Sequence, residues 1–179
     1  MTERTTQDRF MALLKPLYPR LERYALTITR NRDDAKDVVG ETVLIAFEQF
    51  GSLRSEQAFL SYLFTIASRT ARRRLRRRHE AATDEQLEEL FDNYTQPDVA
   101  YDVKLLYEAM DKLPAEQREA VMLAEITGLS HKEIQEIQGG TVAAVKVRVF
   151  RAKRRLAKLL GVEREEREPK TGFKLGMTL

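Results

Sequence analysis

Apolar residues recur three or four positions apart along most of the chain, which is the spacing of one face of an α-helix. From Phe10 to Ile28 this spacing predicts a helix with a kink near Pro16 or Pro19, because proline disrupts a helix interior. No segment alternates apolar and polar residues between turn signals, as a sheet would require. We therefore predict an all-α fold.

Two further helices are predicted in the first half of the chain. One begins near Asp33 or Asp34, whose carboxylates suit a helix N-terminus, and continues to about Phe50, where Gly51 ends it. The other begins near Glu56 and carries an apolar stripe before it enters a run of arginines.

The periodicity weakens between residues 79 and 102. Asn93, Gln96 and Pro97 are typical of a loop, and one short helical turn is expected around Leu87–Phe91. This stretch therefore indicates a linker.

Helical spacing returns at Val103, and Pro114 marks the start of a further helix. The pattern predicts two small helical domains, a linker between them and a disordered tail. We place the first domain, the linker, the second domain and the tail at residues 1–79, 80–102, 103–160 and 161–179.

Charge divides the chain in the same places. Residues 1–79 hold 16 basic against 9 acidic side chains, and residues 80–102 hold 8 acidic side chains and no basic ones. Residues 103–179 hold 15 basic against 11 acidic side chains. Two basic blocks around an acidic strip suggest two units that face nucleic acid, joined by a segment that avoids or imitates it.

The composition narrows the class of protein. With 42% hydrophobic residues the chain can form a packed core, and the lack of cysteine excludes disulfides and thiolate metal sites. No apolar run approaches the roughly 20 residues that cross a bilayer, and the start of the chain has no signal-peptide character. We expect a cytoplasmic protein without membrane insertion.

A helix-turn-helix is predicted in the second domain. Ser130 and Glu133 form a capping box before a short helix, Gly139 and Gly140 supply a tight turn, and Thr141 can cap a longer helix. That helix is basic outside its apolar stripe, which favours DNA binding over an ordinary α-hairpin with a solvated basic face. The candidate DNA-contacting residues are Ser130, Thr141, Ala143, Lys146, Arg148 and Arg151.

Seven arginines crowd the end of the third predicted helix. They are Arg69, Arg72, Arg73, Arg74, Arg76, Arg77 and Arg78. The helix dipole favours arginine at a C-terminus, but this density exceeds what capping requires and repels itself without an anion. Phosphate binding is the favoured interpretation, and a localisation-type basic run or an RNA-binding arm is the alternative.

Four carboxylates share one face of the second predicted helix, namely Asp34, Asp37, Glu41 and Glu48. Taken alone, they are typical of a solvated helix face. Neither histidine lies near them in the sequence, and the chain has no nucleophile arrangement, glycine-rich phosphate loop or HExxH motif. We therefore predict no catalysis, no metal and no cofactor.

Four segments resemble those of extracytoplasmic-function (ECF) sigma factors, in the family's order and spacing over about residues 10–160. Asp33–Phe47 resembles the polymerase-binding segment, and Phe59–Ala67 with the following arginines resembles the next helix. Leu113–Val121 resembles the opening of the second DNA-binding domain, and Gly128–Ala152 resembles its helix-turn-helix.

This resemblance implies a sigma factor that binds core RNA polymerase and directs promoter recognition and DNA melting. It implies docking on the clamp helices of the polymerase's largest subunit by Asp34, Asp37, Val38, Glu41 and Leu44. It implies contacts to the −10 element by Ser52, Arg54, Tyr62, Arg69, Arg72, Arg73, Arg76 and Arg77. The helix-turn-helix would then read the −35 element in promoter DNA, the acidic linker would thread toward the active-site cleft, and an anti-sigma factor is a further candidate partner.

The sequence also departs from the family. Arg69 and Arg73 stand where an Asn and an Asp are usual, which leaves the −10 preference open. Gln135, Gln138 and Gly140 replace residues that are commonly small or apolar, and we expect them to loosen the second domain. Two other functions stay open: a stand-alone helix-turn-helix regulator, and an RNA-binding protein that uses the arginines.

Overall fold

The computed structural model describes residues 3–53, 55–79 and 97–162, which form eight α-helices and two short 3-10 turns. In chain order the helices are α1 (Glu3–Leu14), α2 (Tyr18–Thr29), α3 (Arg32–Glu48), α4 (Phe59–His79), α5 (Pro97–Asp111), α6 (Ala115–Glu125), α7 (His131–Gln138) and α8 (Val142–Leu159). No strand occurs within these ranges, in agreement with the all-α prediction.

The single kinked helix predicted from residue 10 to residue 28 is instead two helices. The chain leaves the helical path after Leu14, with Pro16 in the break, and α2 begins at Tyr18. Pro19 lies in the first turn of α2, where a residue without an N–H group loses no hydrogen bond. The prolines therefore divide the segment rather than bend it.

Helix α3 begins at Arg32, close to the start predicted near Asp33 or Asp34, and its N-cap is Asn31. The side chain of Asn31 accepts hydrogen bonds from the backbone N–H groups of Asp33 and Asp34, at 3.0 and 2.9 Å. Those two aspartates occupy the first turn, where their charge favours the helix dipole. The 3-10 turns Phe50–Ser52 and Glu56–Ala58 then lead into α4.

An aromatic cluster fixes the end of the first domain that contains α1. The ring of Phe10 lies edge-on to Phe47, Phe50 and Phe59, with centroid distances of 5.1, 5.4 and 5.6 Å. Edge-to-face pairs of this kind add to the stabilisation from burial alone. The cluster joins α1 to α3, to the turn that follows α3 and to the start of α4.

Helix α5 begins earlier than the sequence pattern indicated. Pro97 is the first residue of α5, so the loop predicted at that position was wrong, and residues 97–102 of the predicted linker are helical. The helical turn predicted at Leu87–Phe91 lies outside the described residues, as does the predicted disordered tail from residue 163 onward. The division of the chain into domains stays a prediction.

The two domains are in contact, which no local sequence pattern indicated. Helix α4 packs against α7, and α2 packs against α6. The main hydrophobic cluster includes buried residues of the first domain together with Ala120, Leu123, Leu129, Ile134, Val145 and Val149 of the second. None of the helices described here combines the length and apolar content needed to cross a membrane.

Candidate nucleic-acid and polymerase interface

The helix-turn-helix forms as its sequence predicts. The Ser130 hydroxyl accepts from the N–H of Glu133 at 3.3 Å, and the Glu133 carboxylate accepts from the N–H of Ser130 at 2.7 Å. Gly139 has φ 77° and ψ −177°, a conformation open almost only to glycine. Thr141 caps α8 by accepting from the N–H of Ala144 at 3.1 Å. Local signals therefore fix the entry angle of α8.

Gln138 connects α7 to α6 and to α8. Its side-chain amide donates to the carboxylate of Glu119 on α6 at 2.7 Å and to the backbone carbonyl of Glu116 at 3.2 Å. Its carbonyl oxygen accepts from Arg148 on α8 at 3.2 Å. These hydrogen bonds argue against the expectation that this residue loosens the domain, and its effect on stability stays a prediction.

Four of the six predicted DNA-contacting residues lie at the exposed start and face of α8: Thr141, Ala143, Lys146 and Arg151. Arg148 differs, because its guanidinium is held by Gln138, by the carbonyl of Gly139 at 3.5 Å and by the Glu116 carboxylate at 3.4 Å. A side chain held this way stabilises the turn. Ser130 serves as the cap of α7, and its contact with DNA stays a prediction.

Two exposed apolar side chains on α8 were missed by the sequence analysis. Val147 is 45% exposed and Phe150 is 63% exposed, and helical spacing places both on the face that carries Lys146 and Arg151. Apolar side chains on such a face can contact thymine methyl groups. In the sequence, these two residues lie one or two positions away from residues of the apolar stripe of α8. This offset was the signal that could have identified them as exposed.

A groove of about 590 Å³ lies beside the same helix. The start of α6, from Pro114 to Gln117, forms one wall, and Ala143, Val147 and Arg151 of α8 contribute to the other. The groove therefore borders the face of α8 that carries the candidate DNA contacts.

Three arginines of the α4 cluster form ion pairs with carboxylates of neighbouring helices. Arg72 forms an ion pair with Glu119, and Arg73 forms one with Glu41. Arg74 lies 2.9 Å from Asp37, with Asp34 and Glu41 slightly farther away, at 3.7 and 3.9 Å. The remaining exposed arginines whose side chains are described are Arg69, Arg76 and Arg77.

The acidic face of α3 is thus the counterpart of these arginines. Asp34, Asp37 and Glu41 all lie within ion-pair distance of Arg73 or Arg74. The face is solvent-exposed, as expected from α3 alone, and it is also paired with arginines, which was not expected. The predicted polymerase-binding and DNA-binding sets meet at one surface.

The two apolar residues of α3 that were predicted to contact polymerase differ in exposure. Val38 is 0% exposed and lies in the core, so its predicted contact with polymerase was wrong. Leu44 is 57% exposed, and Phe47, one helical turn later, is 41% exposed. Glu48 is also exposed. An apolar patch therefore adjoins the acidic face.

The predicted −10 contacts before and within α4 have different surroundings. Ser52 is exposed, and its hydroxyl donates to the carbonyl of Gln49 at 2.7 Å. Arg54 lies outside the described residues. The ring of Tyr62 packs against Phe59 at 6.4 Å, and burial raises the pKa of the Tyr62 hydroxyl. Its role in capturing an unstacked base stays a prediction.

Within the described ranges, no three His, Cys, Asp or Glu side chains are grouped in a way that could hold a metal ion. Asp37 and Glu41 of α3 form ion pairs with Arg74 and Arg73.

Two family matches cover the two domains. Residues 13–80 match Sigma-70 region 2, and residues 104–156 match Sigma-70, region 4. Among curated proteins, the chain is 32% identical over 150 residues to the ECF RNA polymerase sigma factor EcfG of Rhodopseudomonas palustris, covering 83% of each chain. It is 33% identical over 154 residues to the ECF RNA polymerase sigma factor SigM of Mycobacterium tuberculosis, covering 85% of this chain and 77% of the relative.

Solved structures with the same fold include two sigma factors in complexes. The sigma factor RpoE from Bartonella quintana, in complex with the anti-sigma factor NepR, is 27% identical with a TM-score of 0.66. That alignment covers 87% of this chain and 99% of the other. CnrH, in complex with the cytosolic domain of CnrY, has a TM-score of 0.67 at 22% identity over 88% of this chain and 91% of its own.

Proposed function

The chain belongs to the extracytoplasmic-function sigma factors of RNA polymerase, and we propose how this member divides promoter recognition between its two domains. As a sigma factor it binds core RNA polymerase and directs promoter recognition for transcription initiation. Its role is that of an initiation factor rather than a catalyst, and we place its action with the polymerase in the cytoplasm.

We assign the −35 element to α8, and the exposed basic face of this capped helix is the observation that carries the proposal. Lys146 and Arg151 are exposed on that face, where a major groove could receive them. Val147 and Phe150 add apolar contact area between them. Arg148 orients the helix through its own turn and does not read bases.

We assign polymerase docking to the exposed side of α3. Leu44 and Phe47 offer exposed apolar area. The carboxylates of Asp37 and Glu41 could exchange their ion pairs with the arginines of α4 for ion pairs with basic side chains of a partner. An exposed apolar patch next to a charged one is typical of a protein–protein interface. The clamp helices of the largest polymerase subunit are the partner that the family resemblance implies.

We assign phosphate contacts near the −10 element to the exposed arginines at Arg69, Arg76 and Arg77. These side chains are exposed, and they are not the ones that form the ion pairs of Arg72, Arg73 and Arg74. Arginine is suited to bidentate phosphate contacts, and such contacts hold DNA without selecting a sequence. We retain the acidic linker as the segment that approaches the active-site cleft.

An anti-sigma factor is the further partner that we propose. The supporting observation is that RpoE of Bartonella quintana, 27% identical to this chain, is solved in complex with the anti-sigma factor NepR. Co-purification of an endogenous protein with the tagged chain, followed by loss of transcription on its addition, would test this partner.

The central experiment is reconstitution of the purified chain with sigma-free core polymerase on genomic DNA fragments. We expect promoter-dependent transcripts that need both components. A stand-alone regulator would instead bind palindromic operators without polymerase, and an RNA-binding protein would bind structured RNA with comparable affinity. Either pattern, without new transcripts, would overturn the proposal.

A surface variant tests the docking assignment in the same assay. Leu44→Asp places a charge in the exposed apolar patch of α3 and should abolish transcription without unfolding the chain, because the side chain is 57% exposed. Leu159→Asp is the matched control, since Leu159 is 40% exposed at the end of α8. Equal activity of the two variants would remove α3 from the polymerase interface.

A further inference from the structure

The groove between the start of α6 and α8 is open to solvent and mostly apolar. Its volume of about 590 Å³ lies within the range of roughly 300–1,000 Å³ that is typical of ligand-binding clefts. Ala115 on one wall and Ala143 on the other are exposed, and Val147 is 45% exposed. Water therefore covers apolar side chains here that a suitable segment could bury.

Helix α8 ends in a way that turns the following residues off the helix axis. Gly161 has φ 67°, which is the left-handed conformation. Its N–H donates to the carbonyl of Lys158 at 3.3 Å, and the N–H of Val162 donates to the carbonyl of Ala157 at 2.9 Å. These two hydrogen bonds form a Schellman motif, which commonly ends a helix. The chain therefore leaves beside the end of α8 instead of continuing along its axis.

A line of basic residues on α8 connects this end to the groove. Arg151, Arg154 and Lys158 are spaced three and four positions apart, so they lie on one side of the helix. Val147 lies on the same side, four positions before Arg151. All three basic residues are exposed. Positive charge therefore extends along α8 from the groove to the point where residue 163 begins.

The residues that follow Val162 have a charged first part and an apolar last part. Residues 163–168 hold four glutamates and two arginines, which gives a net charge of −2. Residues 173–179 hold four large apolar side chains: Phe173, Leu175, Met177 and Leu179. From the end of α8 toward the groove, the surface is first basic and then apolar. The two parts of segment 163–179 therefore complement these two surfaces in the same order.

Segment 163–179 is long enough to reach the groove. Val147 precedes Gly161 by 14 residues, which correspond to about 21 Å along α8 at about 1.5 Å per residue. Phe173 follows Val162 by 11 residues, which can span up to roughly 36 Å at about 3.3 Å per residue. Phe173 can therefore lie in the groove while residues 163–168 lie beside the basic line of α8.

We propose that the groove between α6 and α8 is a docking site for segment 163–179 of the same chain, and that this contact competes with promoter DNA for α8. A linked segment has an effective concentration on the order of millimolar, so weak apolar contacts can hold it. The docked segment covers Val147 and pairs with Arg151, two residues of the face assigned to the −35 element. The docking site does not depend on the proposed function, whereas the competition with DNA rests on it.

Cysteine cross-linking tests the docking site, and the pairs are specific because the chain has no native cysteine. Lys174→Cys is combined with Ala115→Cys on the groove wall or, as the control, with Glu125→Cys at the end of α6. Glu125 pairs with Lys153, which helical spacing places on a different side of α8 from Val147. Under mild oxidation of dilute protein, we expect the groove pair to form its disulfide about tenfold faster than the control pair.

The cross-linked products decide between occupants of the groove. A faster disulfide within one chain supports docking of segment 163–179, and equal rates for the two pairs would overturn it. Disulfide-linked dimers that require Ala115→Cys would mean that a second copy of the chain fills the groove, which also contradicts the proposal.

Substitutions within segment 163–179 test the competition with DNA. Phe173→Asp with Leu175→Asp removes apolar contacts, and Thr171→Asp with Thr178→Asp adds the same charge at polar positions. A segment that is docked in about nine chains of ten lowers the apparent affinity for DNA about tenfold, so the first variant should bind a promoter fragment about tenfold more tightly than the wild type. The control variant should show no such gain. The measurement is a titration of the promoter fragment with holoenzyme at fixed salt.

The outcomes distinguish failure of the docking from failure of the proposed function. A wild-type holoenzyme that yields no promoter-dependent transcripts contradicts the proposed function, and the cross-linking rates still decide whether the segment docks. If the variant with both apolar substitutions binds the promoter no more tightly than the wild type, the competition with DNA is disproved.

Discussion

Helices α4 and α8 are both long and basic, yet the structure uses their charges differently. In α4, Arg72, Arg73 and Arg74 form ion pairs with carboxylates of α3 and α6. In α8, Lys146 and Arg151 extend from the exposed face of the recognition helix. The arginines of α4 therefore form one side of an ion-pair network within the protein. The basic side chains of α8 are instead exposed to a ligand.

This difference shows that a run of like charges in a sequence has two physical solutions. Repulsion within the run can be relieved by an external anion such as phosphate, or by carboxylates that the fold brings near. In α4, three arginines are paired with carboxylates of the fold. Arg76 and Arg77 are exposed, so an external anion can reach them. Variants of the two helices should therefore separate binding from packing.

The largest effect is expected from the exposed charges of α8. Lys146→Ala combined with Arg151→Ala should weaken promoter binding by the holoenzyme about 100-fold, since contacts of this kind contribute about 1–3 kcal/mol each. The measurement is an equilibrium titration of a fluorescent promoter fragment at fixed salt. Stability of the free chain should change little, because both side chains are exposed.

Lys153→Ala is the matched control on the same helix. The ammonium group of Lys153 lies 2.6 Å from Glu125, so it already has a partner inside the domain. We expect at most a small change in promoter affinity for this variant. Equal losses for Lys153→Ala and for the Lys146/Arg151 pair would mean that α8 acts through net charge and not through one face.

The helix-turn-helix could be predicted because its signals are local. A capping box links residues three positions apart, and a left-handed turn needs glycine at the residue concerned. The order of the helices followed from apolar spacing for the same reason. Errors occurred where a longer context decides, such as the division of the first helix around Pro16 and the start of α5 at Pro97.

The pairing of charges could not be predicted from the sequence. Arg72 and Glu119 are 47 residues apart, and Arg73 and Glu41 are 32 residues apart, so only the tertiary fold brings them together. Burial was equally hidden for Val38, whose place in a segment that resembles the polymerase-binding one suggested a surface role. Candidate residues could be found from the sequence, but their partners needed the structure.

An intermediate effect is expected for Gln138, whose side chain forms hydrogen bonds with both Glu119 and Arg148. Gln138→Ala removes one donor to a buried carboxylate and should lower the free energy of unfolding by about 1–3 kcal/mol. Thermal unfolding by circular dichroism measures this loss. Gln135→Ala on the same helix is the control and should change stability by less than about 0.5 kcal/mol. A neutral or stabilising Gln138→Ala would restore the interpretation that this glutamine loosens the domain.

The smallest effects should distinguish the two halves of the arginine cluster. Arg76→Ala with Arg77→Ala should weaken binding of the free chain to any DNA duplex and reduce the slope of log affinity against log salt by up to about 1.8. Arg73→Ala with Arg74→Ala removes the same charge but should leave that slope nearly unchanged. Affinities of the two double variants for one non-promoter duplex, measured over a range of salt concentrations, test this contrast.

The difference in salt slope between the two double variants should become smaller when polymerase is bound, because the acidic face of α3 is paired with the arginines of α4. Asp37 and Glu41 hold Arg74 and Arg73 in the free chain, so a partner that takes these carboxylates releases the arginines for DNA. In the holoenzyme we therefore expect removal of Arg73 and Arg74 to reduce the salt slope as well. If the slope of that variant stays equal to the wild type in both states, the arginines are structural and polymerase docking leaves their ion pairs intact.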